Sequence, residues 1–202
     1  MRSRTRQIVT HSSLLAPDAA EREWVARVRL ADESAFESLF HTYYARLCDF
    51  VESYVHSPDV AEELVQAVFL RIREHRATWE PTTGVRAYLF AACRNHALGA
   101  LKHERVVARV ARRATREEIA LGIAAPRMGP DEELQASELA SVLRQAVDRL
   151  PERRRSVVIL RWQEQMSYAE IAHVLGISVK TVEAQMGRAL AFFRRQLAHL
   201  RP

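Results

Sequence analysis

Apolar side chains return every three to four positions along most of this chain, and nowhere do they alternate convincingly over the length of a strand. The periodicity begins at Glu21. Trp24, Val25, Val28 and Leu30 start one stripe, and Phe36, Leu39, Phe40, Tyr43, Leu47 and Phe50 make a second. Ser57-Pro58 then reads as an N-cap followed by proline at the first helical position. The helix it opens gathers Ala61, Leu64, Val65, Val68, Phe69 and Ile72 on one face and shows Glu62, Glu63 and Gln66 on the other. Glu80-Pro81-Thr82-Thr83-Gly84 is a turn, and a further helix runs from about Val85 past Leu101 into an Arg-rich stretch.

Between Glu104 and Pro130 the pattern weakens, broken by Gly122, Pro126, Gly129 and Pro130. It resumes at Leu134, with Leu139, Val142, Leu143, Val147 and Leu150, until Pro151 ends that helix. Val157, Val158, Leu160 and Trp162 belong to the next. Residues 1–20 lack periodicity and are expected to be a mobile tail. The expected fold is all-α: two small helical domains, 21–106 and 134–202, joined by a flexible linker over 107–133.

The strongest local pattern runs from Ser167 to Val182. Ser167 with Glu170 forms a capping box, so a helix starts there. Ile171, Ala172 and Leu175 face inward, and Ala172 is small enough for a close helix crossing. Gly176 ends the helix where a positive φ is needed. Ser178 caps a second helix that buries Val182, Met186, Ala189 and Phe193 and presents Lys180, Glu183, Ala184 and Arg188, with Thr181 and Gln185 flanking. This is a helix-turn-helix, whose second helix is expected to enter a major groove. A helical hairpin used only for protein contacts is the competing reading.

Charge changes the picture by region. The chain is basic, with formal charge +5, which makes a polyanionic partner plausible. Residues 32–70 carry eight acidic and one basic side chain, residues 94–116 seven basic and one acidic, residues 117–137 five acidic and one basic, and residues 138–202 eleven basic and six acidic. Two basic blocks separated by acidic ones suggest two polyanion contacts and a different kind of partner for the acidic block. With 48% hydrophobic residues, 6 Gly and 7 Pro, the composition supports a helical core.

Little points to catalysis. There is no phosphate-binding Gly loop, no HExxH and no nucleophile elbow. His96 and His103 are seven apart without an acidic or Cys partner, so no metal or other cofactor is expected. Cys48 and Cys93 read as small apolar residues in a reducing cytosol. No leader or membrane span is expected, and a cytoplasmic protein follows.

Val60-Ala61-Glu62-Glu63-Leu64-Val65-Gln66-Ala67-Val68-Phe69-Leu70-Arg71-Ile72 closely resembles the polymerase-docking helix of bacterial sigma factors. Val85-Arg86-Ala87-Tyr88-Leu89-Phe90-Ala91-Ala92-Cys93-Arg94-Asn95-His96-Ala97-Leu98 resembles their promoter-melting helix. Leu150-Pro151-Glu152-Arg153-Arg154-Arg155, followed by Tyr168-Ala169-Glu170-Ile171-Ala172, resembles their second DNA-binding domain. The order and the short linker resemble the extracytoplasmic-function (ECF) group. The chain departs from the family at Val60, Gly99 and Ala100, where an Asp, an acidic residue and an aromatic are usual.

The resemblance implies an alternative sigma factor that binds core RNA polymerase and directs promoter-specific initiation. Glu62, Glu63, Gln66 and Phe69 would dock on the clamp of the largest polymerase subunit, with Phe69 equally readable as core. Arg94, Asn95, Lys102 and Arg105 would meet the minus-ten element, where Asn95 can hydrogen-bond a base edge held out of the stack. Trp79 and Tyr88 either help line that site or are core. Arg109, Arg112, Arg113 and Arg116 would follow phosphates. Lys180, Thr181, Glu183, Ala184, Gln185 and Arg188 would read the minus-thirty-five element of promoter DNA. An anti-sigma partner is implied too. Ile177–Glu183 is also similar to LuxR-type regulators, so a dimeric helix-turn-helix regulator is the alternative, and an adaptor that never touches DNA is a third.

Overall fold

The computed structural model describes residues 19–114 and 145–196. Most of the expected tail over 1–20 and most of the expected linker over 107–133 lie outside them, as do Leu134, Leu139, Val142, Leu143 and Arg116. Among the described residues every regular element is helical.

The N-terminal domain holds α1 (Ala19–Arg29), α2 (Glu33–Val55), α3 (Pro58–Glu74), a 3-10 turn (Arg76–Thr78) and α4 (Val85–Ala114). Asp32 starts α2 by accepting from the amides of Ser34 (3.0 Å) and Ala35 (3.2 Å), which satisfies donors that the helix itself leaves free. Ser57 caps α3 and Pro58 is its first residue. The second stripe and the apolar face of α3 meet as one core: Leu39, Leu47, Phe50, Val51, Val65, Leu89 and Phe90 are all buried, with Phe50 and Phe90 ring to ring at 5.1 Å. Burying such side chains stabilises by roughly 1.5–3 kcal/mol each. The first stripe ends sooner than its pattern implies. α1 stops at Arg29, Ala31 takes φ 62°, and Leu30 is 83% exposed in that turn.

The melting-helix match begins where expected, at Val85, but α4 continues to Ala114, well into the stretch assigned to the linker. After a helical turn at 145–148, the C-terminal domain comprises α5 (Glu152–Trp162), α6 (Tyr168–Leu175) and α7 (Val179–Gln196). Leu160, Met166, Ile171, Val182 and Ala189 form its core. Pro151 both closes the preceding turn and opens α5, since its carbonyl accepts from the amides of Arg154 (2.8 Å) and Arg155 (3.0 Å). The Arg155 guanidinium braces the same corner by donating to the Asp148 carbonyl at 2.6 Å. The two domains touch: α4 packs on α6, and α2 on α5.

Candidate nucleic-acid interface

The helix-turn-helix is built as its sequence implies. The Ser167 side chain accepts from the Glu170 amide at 3.2 Å, and the Glu170 carboxylate accepts from the Ser167 amide at 2.7 Å. Gly176 then reverses the chain at φ 62°, a conformation that strains any side chain with a Cβ. Ser178 accepts from the Thr181 amide at 3.1 Å and starts α7. Along α7, Val182, Met186, Ala189 and Phe193 are buried, while Lys180, Thr181, Glu183, Ala184 and Arg188 are exposed and Gln185 is half-buried. The periodicity of one helix thus separates a packing face from a polar face presenting two cations, a carboxylate and an amide. Such a face can offer hydrogen bonds to base edges and charge to phosphates.

On α4, Asn95, Lys102 and Arg105 are exposed, and Arg94 is half-buried. They share one continuous helix, so a strand crossing it would meet a carboxamide and cations in sequence. Trp79 is buried and packs edge-on to Tyr88 with ring centroids 6.1 Å apart; it belongs to the core, and only the half-buried Tyr88 retains a face. The side chains of Arg109, Arg112 and Arg113 lie outside the described residues. On α3, Glu62, Glu63 and Gln66 are exposed, as the docking reading requires. Phe69 is not. It is 2% exposed, wedged between Phe36 and Phe40 at centroid distances of 6.3 and 5.0 Å. Its position on the apolar side of α3 takes it from the docking face into the core.

Cys93 is fully buried, and burial pushes its thiol far above the ordinary range, so it stays protonated and inert. Cys48 is half-buried and likewise raised.

Sequence reasoning missed the contact between the domains. Arg46 of α2 pairs with Glu164, a carboxylate buried at the end of the turn after α5. Arg86, in the first turn of α4, donates to the Glu164 carbonyl at 3.0 Å and to the Glu170 carboxylate at 2.7 Å. Burial pushes the Glu170 carboxyl up, but the Arg86 guanidinium and the Ser167 cap outweigh it and hold it below its ordinary value. The Tyr54 hydroxyl lies 2.7 Å from Ser156 Oγ. Ser156 spends its one proton on the Glu152 carbonyl (2.9 Å), so Tyr54 is the donor. Beside this bond lies a cleft of about 300 Å³ whose lining includes Arg94 from α4 and Thr181 and Gln185 from α7. Two of the expected minus-thirty-five residues and one minus-ten residue therefore meet in one place. The signal that could have found this contact is a minority charge: Arg46 is the single basic residue in the acidic block 32–70.

The chain matches the family models for sigma-70 region 2 over residues 39–107 and sigma-70 region 4 over residues 141–193. It is 31% identical to RNA polymerase sigma factor CarQ of Myxococcus xanthus, across 86% of this chain and 95% of that protein. It is 22% identical to ECF RNA polymerase sigma factor SigW of Bacillus subtilis, across 87% and 96%. Its fold is similar to that of CnrH in complex with the cytosolic domain of CnrY, at TM-score 0.58 and 23% identity, covering 89% of this chain and 98% of that one. A second similar fold is the sigma factor RpoE in complex with the anti-sigma factor NepR from Bartonella quintana, at TM-score 0.56 and 21% identity over 81% and 96%. The region 2 match lies where a LuxR-type regulator has none of these motifs, so the dimeric-regulator alternative is not favoured. With both regions matched in order and a relative aligned along nearly its whole length, the chain belongs to the ECF group of RNA polymerase sigma factors and is an alternative sigma subunit that directs promoter-specific transcription initiation.

Proposed function

We propose the following division of labour on the polymerase. The domain over 21–106 docks through the exposed acidic and amide face of α3, Glu62, Glu63 and Gln66, on the clamp of the largest subunit. Its α4 meets the minus-ten element through Arg94, Asn95, Lys102 and Arg105. The domain over 134–202 reads the minus-thirty-five element through Lys180, Thr181, Glu183, Ala184, Gln185 and Arg188, and residues 107–133 tether the two. The observation that carries this reading is the split of α7 into a buried apolar face and an exposed polar one, behind a fully formed capping box. Catalysis belongs to the polymerase. No helix among the described residues is long and apolar enough to cross a membrane, consistent with work in the cytoplasm beside the polymerase. An anti-sigma partner, like the NepR bound to RpoE in the similar structure, is the natural means of control.

Run-off transcription with core polymerase over a genomic promoter library tests the function: promoter-dependent transcripts are expected only when the chain is added, and their absence would sink it. Glu62→Lys with Glu63→Lys should weaken core binding at least several-fold, because like charges would then face a basic surface. Unchanged affinity would remove the docking assignment.

A further inference from the structure

We propose that Tyr44 of α2 is a positioning residue for polymerase docking: it holds the Gln66 carboxamide so that α3 offers its partner hydrogen-bond acceptors alone. The inference rests on the docking reading of Glu62, Glu63 and Gln66, and it goes beyond that reading by placing a residue of a second helix behind the face.

Gln66 follows Glu63 by three positions and Glu62 by four, so the three side chains stand together on one side of α3. All three are exposed. The two carboxylates accept hydrogen bonds only, whereas a free carboxamide is ambivalent, with an amino group that donates and a carbonyl oxygen that accepts. A long exposed side chain also loses rotamer freedom when a partner fixes it. Tyr44 removes both difficulties. Gln66 Nε2 donates to the Tyr44 hydroxyl at 3.0 Å. With the nitrogen engaged on α2, the carbonyl oxygen is the group left open to a partner, and the side chain is fixed before the partner arrives.

Tyr44 can do this because it is itself held. Its ring stacks on that of Phe40, one helical turn back along α2, with centroids 4.4 Å apart and planes at 23°. Phe40 in turn packs on Phe69 at 5.0 Å, and Phe69 is buried. A column of three aromatic rings thus runs from the core to the surface and ends on Gln66. Phe69, which does not reach the docking face, supports it from beneath. The far end of the same stripe is neutralised separately. Arg73, two turns beyond Gln66, pairs with Glu33 at 3.3 Å and lies over the Phe36 ring at 6.0 Å. Two carboxylates and an oriented carbonyl oxygen, bordered by a cation already tied to α2, fit a partner surface of Lys and Arg donors.

The deciding experiment measures the affinity of the full chain for core RNA polymerase. Tyr44→Phe keeps the ring in its stack and removes only the hydroxyl. It should weaken core binding about three- to tenfold, the range of one ordinary hydrogen bond. In the Gln66→Glu background the same change should cost nothing, because a carboxylate presents an acceptor whichever way it turns. A merely structural Tyr44 would cost the same in both backgrounds. Gln66→Met, at an exposed position, removes the acceptor altogether and should weaken binding at least as much as Tyr44→Phe. Unchanged affinity in Tyr44→Phe, unchanged affinity in Gln66→Met, or an equal loss from Tyr44→Phe in both backgrounds each overturns the proposal. The docking reading fails separately. Undiminished affinity in Glu62→Lys/Glu63→Lys removes the face itself, whereas a loss there beside an unaffected Tyr44→Phe removes only the role of Tyr44. Circular dichroism checks that each variant stays helical.

Discussion

One carboxylate organises the entry to α2. Asp32 accepts from the Ser34 side chain and from the Arg27 guanidinium, each at 2.8 Å, in addition to the two amides it caps. These partners, Ser34 first, hold its carboxyl down at about 2. A folded-state value below the ordinary one means that the carboxylate's contribution is complete above the ordinary value and is lost as pH falls through the folded one. Wild-type protein should therefore lose thermal stability between pH about 4 and about 2 more steeply than Asp32→Asn. Equal slopes in thermal melts would show that the Asp32 contacts are lost in solution. Ser167 makes the equivalent test in the C-terminal domain. Ser167→Ala removes one arm of the capping box and should cost about 1 kcal/mol, read as a lower midpoint in urea with an unchanged slope.

At the scale of elements, the sequence was most informative where a helix has one apolar face and a side-chain cap. The starts of α3, α4, α6 and α7 fall where Ser57-Pro58, Gly84-Val85, Ser167 and Ser178 put them. Periodicity failed where an apolar residue continued a stripe beyond its helix or onto its open side. Leu30 is in a turn, and Trp162 is 43% exposed at the end of α5, resting on Phe193. It also could not divide roles within one face: Phe69 follows Gln66 by three positions, close enough to suggest a shared surface, but lies on the side that meets Phe36 and Phe40. Partners 118 residues apart, such as Arg46 and Glu164, leave no periodic trace at all. Gly99 offers a test at this scale. It lies inside α4, and a Cβ built there meets nothing within 4 Å. Gly99→Ala should therefore stabilise the N-terminal domain by up to about 1 kcal/mol, because alanine restricts the unfolded chain and fits the helix. A lower melting temperature would mean that α4 bends at that point.

At the scale of the whole molecule the two domains share one buried apolar cluster and add polar pairs between them, and the hydroxyl pair permits a test of how firmly they are held. Tyr54 donates to Ser156, and Ser156 donates onward to the Glu152 carbonyl. Tyr54→Phe removes the first donor and leaves Ser156 satisfied. Ser156→Ala instead leaves the buried Tyr54 hydroxyl facing a methyl group. The second change should be the more destabilising, because an orphaned donor loses its full desolvation energy, roughly 1–3 kcal/mol, against about 1 kcal/mol for a bond removed cleanly. Combining the two gives a coupling energy, expected at roughly 0.5–1.5 kcal/mol for residues in direct contact. That coupling should be present in the wild-type background and shrink in Arg46→Gln/Arg86→Gln, which removes the ion pairs that hold α2 and α4 on Glu164 and Glu170. Coupling that survives unchanged in that background would place the Tyr54–Ser156 contact in a joint held by the shared apolar cluster rather than by the charged pairs around it.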